Sequence, residues 1–319
     1  MDSKKTTVSK LLSRRRGWVQ AGATVVTNIH LPNFIDGNLY KGAGKSVCVP
    51  GLNCYSCPAA TGACPIGAFQ SVVGNSKFSF SYYVTGTLIL LGVLLGRFIC
   101  GFLCPFGWFQ DLLHKIPSKK ISTTKLKPLR LLKYAVLLFS VVLLPALLVN
   151  DVGLGEPIFC KYICPQGVLE GAIPLSIVDS GIRATLGLLF AWKFTILVVL
   201  ILLSVFIYRP FCKWICPLGA IYGLMNRVSM TQMNVDKNKC VSCGKCARAC
   251  KMDVDVTKTP NHFECIRCGM CVTACPTDAV SIRFGLGDAK TPSTKVPGQK
   301  ISNKETLSTK VPGHSKNRR

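Results

Sequence analysis

The chain has 319 residues, 49% of them hydrophobic and 17% charged, with a formal net charge of +25 and a mean hydropathy of +0.36. That length allows roughly two domains and excludes a mini-protein, while so few charges against the roughly 25% of a soluble domain call for a membrane-embedded portion. A basic excess of this size would suggest nucleic acid in a soluble protein; its placement along the chain explains it instead as an orientation signal, so no nucleic-acid partner is expected.

Residues 1–16 hold Lys4, Lys5, Lys10, Arg14, Arg15 and Arg16 and read as a basic cytoplasmic N-terminus. Residues 17–229 read as a transmembrane domain. Its first apolar segment, 17–35, is interrupted by Gln20, Asn28, His30 and Pro32 and also fits a signal-peptide hydrophobic region. No convincing small-residue cleavage site follows, so it is read as a retained anchor. Segments 82–99, 131–149 and 184–208 are the other expected spans, judged against the about 20 apolar residues a membrane helix needs. Between the second and third spans lie Lys115, Lys119, Lys120, Lys125, Lys127, Arg130 and Lys133, whereas the next loop offers Asp151, Glu156 and Glu170 against Lys161. Positive flanks mark the cytoplasmic side, so four spans place both termini inside. Lys193, within the fourth span, is expected to snorkel to the outer interface.

Residues 230–287 contain two copies of C-x2-C-x2-C-x3-C: Cys240, Cys243, Cys246 and Cys250, then Cys265, Cys268, Cys271 and Cys275. In two-cluster ferredoxins the fourth cysteine of each run ligates the other cluster. One [4Fe-4S] cluster is therefore expected on Cys240, Cys243, Cys246 and Cys275, the second on Cys265, Cys268, Cys271 and Cys250. Zinc knuckles and disulfides do not ordinarily give this doubled run. Lys251 stands where the first motif usually has proline, which puts its local turn in question. Residues 288–319 are rich in Lys, Ser, Thr and Pro, repeat Ser-Thr-Lys-Val-Pro-Gly at 293–298 and 308–313, and read as a disordered basic tail drawn to anionic lipid.

The other ten cysteines form an internal repeat. Cys100-x3-Cys104-Pro, Cys160-x3-Cys164-Pro and Cys212-x3-Cys216-Pro each continue to glycine, and Cys64-Pro-Ile-Gly is a partial copy preceded by Cys48, Cys54 and Cys57. Proline after cysteine suits the first turn of a helix, which sets the thiolate at a positive helix N-terminus. Topology groups Cys100, Cys104, Cys212 and Cys216 at the inner side as one metal site. Cys160 and Cys164 fall outside with Cys48, Cys54, Cys57 and Cys64, where either another cluster or disulfides are open. One or two further iron–sulfur clusters are expected in the membrane domain. Clusters at opposite faces of a hydrocarbon core about 30 Å thick would be too far apart for efficient exchange, so transfer across it requires re-entrant segments buried among helices.

Spans bearing Cys100-x3-Cys104-Pro and Cys212-x3-Cys216-Pro, joined to a pair of ferredoxin motifs, resemble the NapH/NosR-type membrane-bound 4Fe-4S polyferredoxin family over about residues 82–283. The resemblance implies an α-helical membrane protein of about four transmembrane helices with short re-entrant or interfacial helices, plus a small α+β two-cluster ferredoxin domain. It also implies electron transfer between a cytoplasmic or quinone donor and a membrane or extracytoplasmic redox protein. No Walker loop, dinucleotide fingerprint or Ser-His-Asp arrangement is present. An assembly or regulatory factor for another redox complex is the alternative, and a thiol–disulfide relay through the outer cysteines a third reading.

Overall fold

The computed structural model describes residues 2–75, 81–149 and 155–285. The basic tail expected at 288–319 and the loop residue Asp151 lie outside the described residues.

Among the described residues two helices are long and apolar enough to cross a membrane by themselves, Pro128–Leu147 and Leu188–Phe206. They coincide with the expected third and fourth spans. Past the buried Arg130 and Lys133 at its start, the first is apolar and buries only Ser140, Val141 and Pro145, and the second is apolar around its circumference and buries only Leu197, Leu200 and Ser204. A helix apolar on all sides needs an apolar surrounding.

The other two expected spans are short helices. Helix α1, Asp2–Arg14, is followed by α2, Arg16–Thr27, which has 12 residues and so reaches about 18 Å at 1.5 Å per residue. It ends where Asn28 Nδ2 donates to Thr24 O (3.1 Å) and Asn28 Oδ1 accepts from Asn53 (3.1 Å), which turns the chain into the cysteine-bearing loop. Helix Tyr82–Leu94 is broken at Gly96 (φ +55) before the short helix Phe98–Phe102. Glycine adopts that conformation without Cβ strain, and Arg267 Nη1 uses the opening to reach Leu95 O at 2.9 Å. A Cβ at Gly96 would stand 2.5 Å from that nitrogen.

The segment ends group into two sets. Ile121 N–H donates to Phe206 O (3.0 Å), whereas Gly155 N–H donates to Gly74 O (3.3 Å) and Glu156 N–H to Leu148 O (3.1 Å).

After the last long helix comes a small α+β unit. Strand β1, Thr231–Val235, pairs antiparallel with β2, Val280–Phe284, in the register Thr231↔Phe284 to Val235↔Val280. Met233, Val256, Val272 and Val280 form its core around Cys246 and Cys271. This unit is not a separate bead. Met252, Val254 and Ile266 share one continuous core with Cys64, Cys100, Cys104, Cys164 and Cys216. Arg97, fully buried, donates to Glu264 Oε2 (2.9 Å), and Lys133 pairs with the same carboxylate. Helix α1 also lies on this unit: Ser9 Oγ accepts from Ile282 N–H (3.3 Å), Ser13 Oγ donates to Cys268 O (3.2 Å), and Lys10 pairs with Asp278. Ser9 and Ser13 are four apart and share one helix face, so the basic N-terminal segment is a packed element.

Candidate metal centres

Three copies of the repeat close in the same way. The short turns Phe98–Phe102, Phe159–Ile163 and Pro210–Trp214 each end with the second cysteine's N–H on the carbonyl five residues back: Cys104 to Ile99 (3.0 Å), Cys164 to Phe159 (2.8 Å) and Cys216 to Phe211 (2.9 Å). The backbone then extends at the cysteine itself, with φ/ψ of −84/117 at Cys104, −70/118 at Cys164 and −63/112 at Cys216. Cys64 has the same conformation, −66/125. Helices Pro65–Gly74, Pro105–Leu113 and Pro217–Met225 begin with the proline, as the sequence predicts. Thiols thus face the free N–H groups of a helix start; Cys216 Sγ accepts from Gly219 N–H at 3.3 Å.

The inner four cysteines come together. Cys104 and Cys216 each interact electrostatically with Cys100 and Cys212. Two buried guanidiniums, absent from the sequence-based expectation, cross between the copies. Arg97, three residues before Cys100, donates to Cys212 O (3.2 Å), and Arg209, three before Cys212, donates to Cys100 O. Asp111 receives Arg209 Nε at 2.8 Å and also pairs with Arg16. Burial alone would raise the Asp111 carboxyl, but Arg209 and then Arg16 outweigh it and hold it at about 2. The crossing explains the glycine of each motif: a Cβ at Gly107 would stand 3.2 Å from both terminal nitrogens of Arg209, and one at Gly219 would stand 3.3 Å from Arg97 Nη2. An Arg-x-x-Cys-x3-Cys-Pro-x-Gly pattern in two copies is the signal that would have revealed both arginines.

The outer group resolves into Cys54, Cys64, Cys160 and Cys164, which interact with one another. Cys57 lies beside Asn28 Oδ1 (3.6 Å), and Cys48 forms a parallel bridge with Ala63. Glu170 Oε2 accepts the Cys54 N–H at 3.0 Å. Lys193 does not snorkel to an interface: its Nζ donates to Cys160 O (3.0 Å) and stands 3.6 Å from where a Cβ on Gly167 would be. It occupies the place that Arg97 and Arg209 take in the inner copies. All eighteen cysteines are described, and each is a free thiol.

Inner and outer quartets are neighbours rather than a bilayer apart. Tyr222, fully buried, donates its hydroxyl to Pro50 O (3.0 Å) and interacts with Cys48 and Cys64 on one side and Cys100 and Cys104 on the other. A Cβ at Gly51 would stand 2.8 Å from Cys104 Cα. The cysteine-bearing loop turns inward onto the inner motif, which removes the separation expected from counting spans.

In the ferredoxin unit, Cys250, Cys265, Cys268 and Cys271 line one cavity, closed by Met252, Val254 and Ile266. Cys246 of the first motif lies near Cys275 of the second. Ser242 (φ 51) with Gly244 (φ 68) and Arg267 (φ 52) with Gly269 (φ 77) repeat the same left-handed positions, which turn successive N–H groups toward an anion. Lys251 leaves the turn of the first motif intact: Cys250 Sγ accepts from Val254 N–H (3.4 Å) as Cys275 Sγ does from Ala279 N–H (3.3 Å). Burial pushes the Cys265 thiol up to about 12, so deprotonation there comes with metal binding. Four thiols lining one cavity suit a cubane, whose thiolates bind separate irons.

Residues 80–124, 134–173 and 189–232 match the 4Fe-4S binding domain family, each match containing one C-x3-C-P copy, and residues 259–281 match a second 4Fe-4S binding domain family. An uncharacterized protein of Methanocaldococcus jannaschii is 30% identical over 207 residues, 62% of this chain and 77% of that protein. The putative electron transport protein YccM of Escherichia coli is 28% identical over 179 residues, 53% of this chain and 45% of YccM. The regulatory protein NosR of Stutzerimonas stutzeri is 26% identical over 170 residues, 50% of this chain and 21% of NosR. No solved structure matches. With a C-x3-C-P motif in each of three family matches, and ferredoxin motifs continuous with them in one core, the chain belongs to the NapH/NosR-type 4Fe-4S polyferredoxin family.

Proposed function

We propose that the chain is a multi-pass electron-transfer protein of the cytoplasmic membrane that holds four [4Fe-4S] clusters in a line. Two sit in the ferredoxin unit, the third on Cys100, Cys104, Cys212 and Cys216, and the fourth on Cys54, Cys64, Cys160 and Cys164. The observation that carries this reading is adjacency. A Cβ at Gly101, next to Cys100, would lie 3.8 Å from Cys268 N, and one at Gly51, in the cysteine-bearing loop, 2.8 Å from Cys104 Cα. Bound clusters would supply reversible one-electron storage. The chain buries the inner membrane quartet from water, offers N–H groups and buried cations to the clusters' negative charge, and fixes their order.

The two short helices α2 and Tyr82–Leu94 complete four crossings, with both termini and Lys120 inside and Gly155 outside. Lipid surrounds the long helices, and a quinone or an extracytoplasmic redox protein exchanges electrons at the outer quartet. Anaerobically purified protein should carry about sixteen irons, falling to about twelve in a Cys160→Ser, Cys164→Ser variant. A wild type that stops at about twelve, with these cysteines mapped as disulfides, overturns the outer site. The word "regulatory" in the name of NosR favours a second reading, assembly or regulation of another redox complex. Steady flux from reductant to an outer acceptor separates the two.

A further inference from the structure

Among the described residues, which include all eighteen cysteines, Cys243 alone is exposed. It belongs to the quartet farthest along the line. Cys250 and Cys268 pack against the core shared with the membrane quartets, while Cys246 and Cys275 belong to the separate core of β1 and β2. The first ferredoxin motif is therefore the end of the chain of sites that meets solvent.

The surface around it is basic. Lys237, Lys239, Lys245 and Arg248 are exposed within eight residues of Cys243, with Val241 63% exposed between them. The nearby carboxylates are already engaged. Asp253 is taken by Arg130 and Lys213 (3.1 Å each) and Asp278 by Lys10. Asp236 pairs loosely with Lys239 (3.8 Å), and Asp255, whose charge reaches Cys246, is held by the Thr257 N–H (3.0 Å) and hydroxyl (2.6 Å) rather than by a cation. A small apolar contact ringed by more cations than acids, set over an exposed cluster ligand, is suited to brief docking. Electron-transfer encounters bury little area and rely on charge for their rate.

Resting on the electron-transfer reading above, we infer that this face docks an acidic one-electron carrier protein, whose reduced iron–sulfur or flavin centre is oxidised by one electron as the first cluster is reduced by one. No bond forms or breaks, and the electron is the only thing exchanged. Acidic faces attract this patch over about a Debye length, ~10 Å at 0.1 M salt. Lipid is the weaker occupant, because the lysines surround the site most remote from the core of the membrane helices.

The test uses the full chain with its clusters, in nanodiscs of neutral lipid, and an acidic plant-type [2Fe-2S] ferredoxin as probe. Two readouts are taken: the rate of cluster reduction by reduced ferredoxin, and calorimetric binding of oxidised ferredoxin. A Lys237→Glu, Lys239→Glu, Lys245→Glu variant should lose about tenfold or more in both, and raising salt from 20 to 300 mM should weaken the wild type by about as much. The Gln triple variant should fall between. Reduction by dithionite and iron content should stay unchanged, since they test the cluster reading and not the docking face. Ferredoxin rates and binding indifferent to charge reversal and salt overturn the proposal. So does a variant that loses only its binding to vesicles of anionic phosphatidylglycerol, which would assign the patch to lipid.

Discussion

The inner and outer membrane quartets are built from the same repeat, yet their surroundings differ in one respect. The inner site is crossed by two arginines, each reaching the other copy's first cysteine carbonyl, and their charge is balanced by Asp111 and Glu264. The outer site has a single lysine, Lys193, on the Cys160 carbonyl, and Cys64 comes from a partial copy with no cysteine four residues upstream. A symmetric, locked site thus abuts an asymmetric one completed by a loop. The inner quartet joins long helices to the ferredoxin unit and so has a structural burden that the outer one lacks.

The strongest way to break that comparison is to remove a buried counter-charge. Asp111→Ala leaves Arg209 and Arg16 facing each other without their carboxylate, and uncompensated buried charge costs about 3–5 kcal/mol. The thermal midpoint in detergent should fall well below that of Glu170→Gln, which keeps the shape and an acceptor for the Cys54 N–H at the outer site. The same carboxylate gives a pH signature. Its folded value, about 2, lies below the ordinary aspartate value of 3.8, so its stabilisation is present above about pH 4 and is lost as pH falls toward 2, amounting to about 2 kcal/mol. Wild type should lose more stability over that interval than Asp111→Asn, which keeps only the matching loss from Glu264 with its Arg97 and Lys133 partners; parallel acid profiles would disprove the role of Asp111.

Glycine positions sharpen the contrast at smaller cost. A Cβ at Gly107 would meet Cys100 O at 3.1 Å and Arg209 at 3.2 Å, whereas at Gly67 the nearest atoms, Cys160 Sγ and Cys64 Cβ, stand 3.8 Å away. Gly107→Ala should destabilise by about 1–3 kcal/mol through overpacking and shed inner-site iron. Gly67→Ala should retain its iron. Equal iron loss in both would mean that the arginine crossing does not distinguish the sites.

The sequence displayed the ligand types and their grouping more clearly than the path between them. Cysteine spacing groups the thiols into candidate quartets, because ligand sets repeated at fixed offsets are local information. Hydropathy gave the two full-length helices, but it overextended the first two spans: Asn28, bonded to Asn53, ends one, and the left-handed turn at Gly96, where Arg267 donates to Leu95 O, ends the other, and no window contains those partners. Lys193 looked like an interfacial residue because its partner, Cys160 O, is 33 residues away. The loop over 48–64 was legible as a ligand source, while its inward turn onto Leu103–Pro105 depends on Tyr222 and Gly51, which no motif marks.

Tyr222 gives the finest test of the two-site arrangement. Its ring is fully buried in the core that also holds Cys64, Cys104, Cys164 and Cys216, and its hydroxyl fixes the loop through Pro50 O. Tyr222→Phe removes that one hydrogen bond and should cost about 1 kcal/mol, while the ring keeps the loop seated. Reduction of the outer site through the inner one, followed by rapid-mixing absorbance, should then be nearly unchanged, with wild-type iron content. If the phenylalanine variant keeps its iron but its outer site becomes unreachable from the cytoplasmic side, the hydroxyl rather than the packed ring joins the quartets. Fast transfer in Tyr222→Leu, which also loses the aromatic face, would show instead that closeness alone suffices.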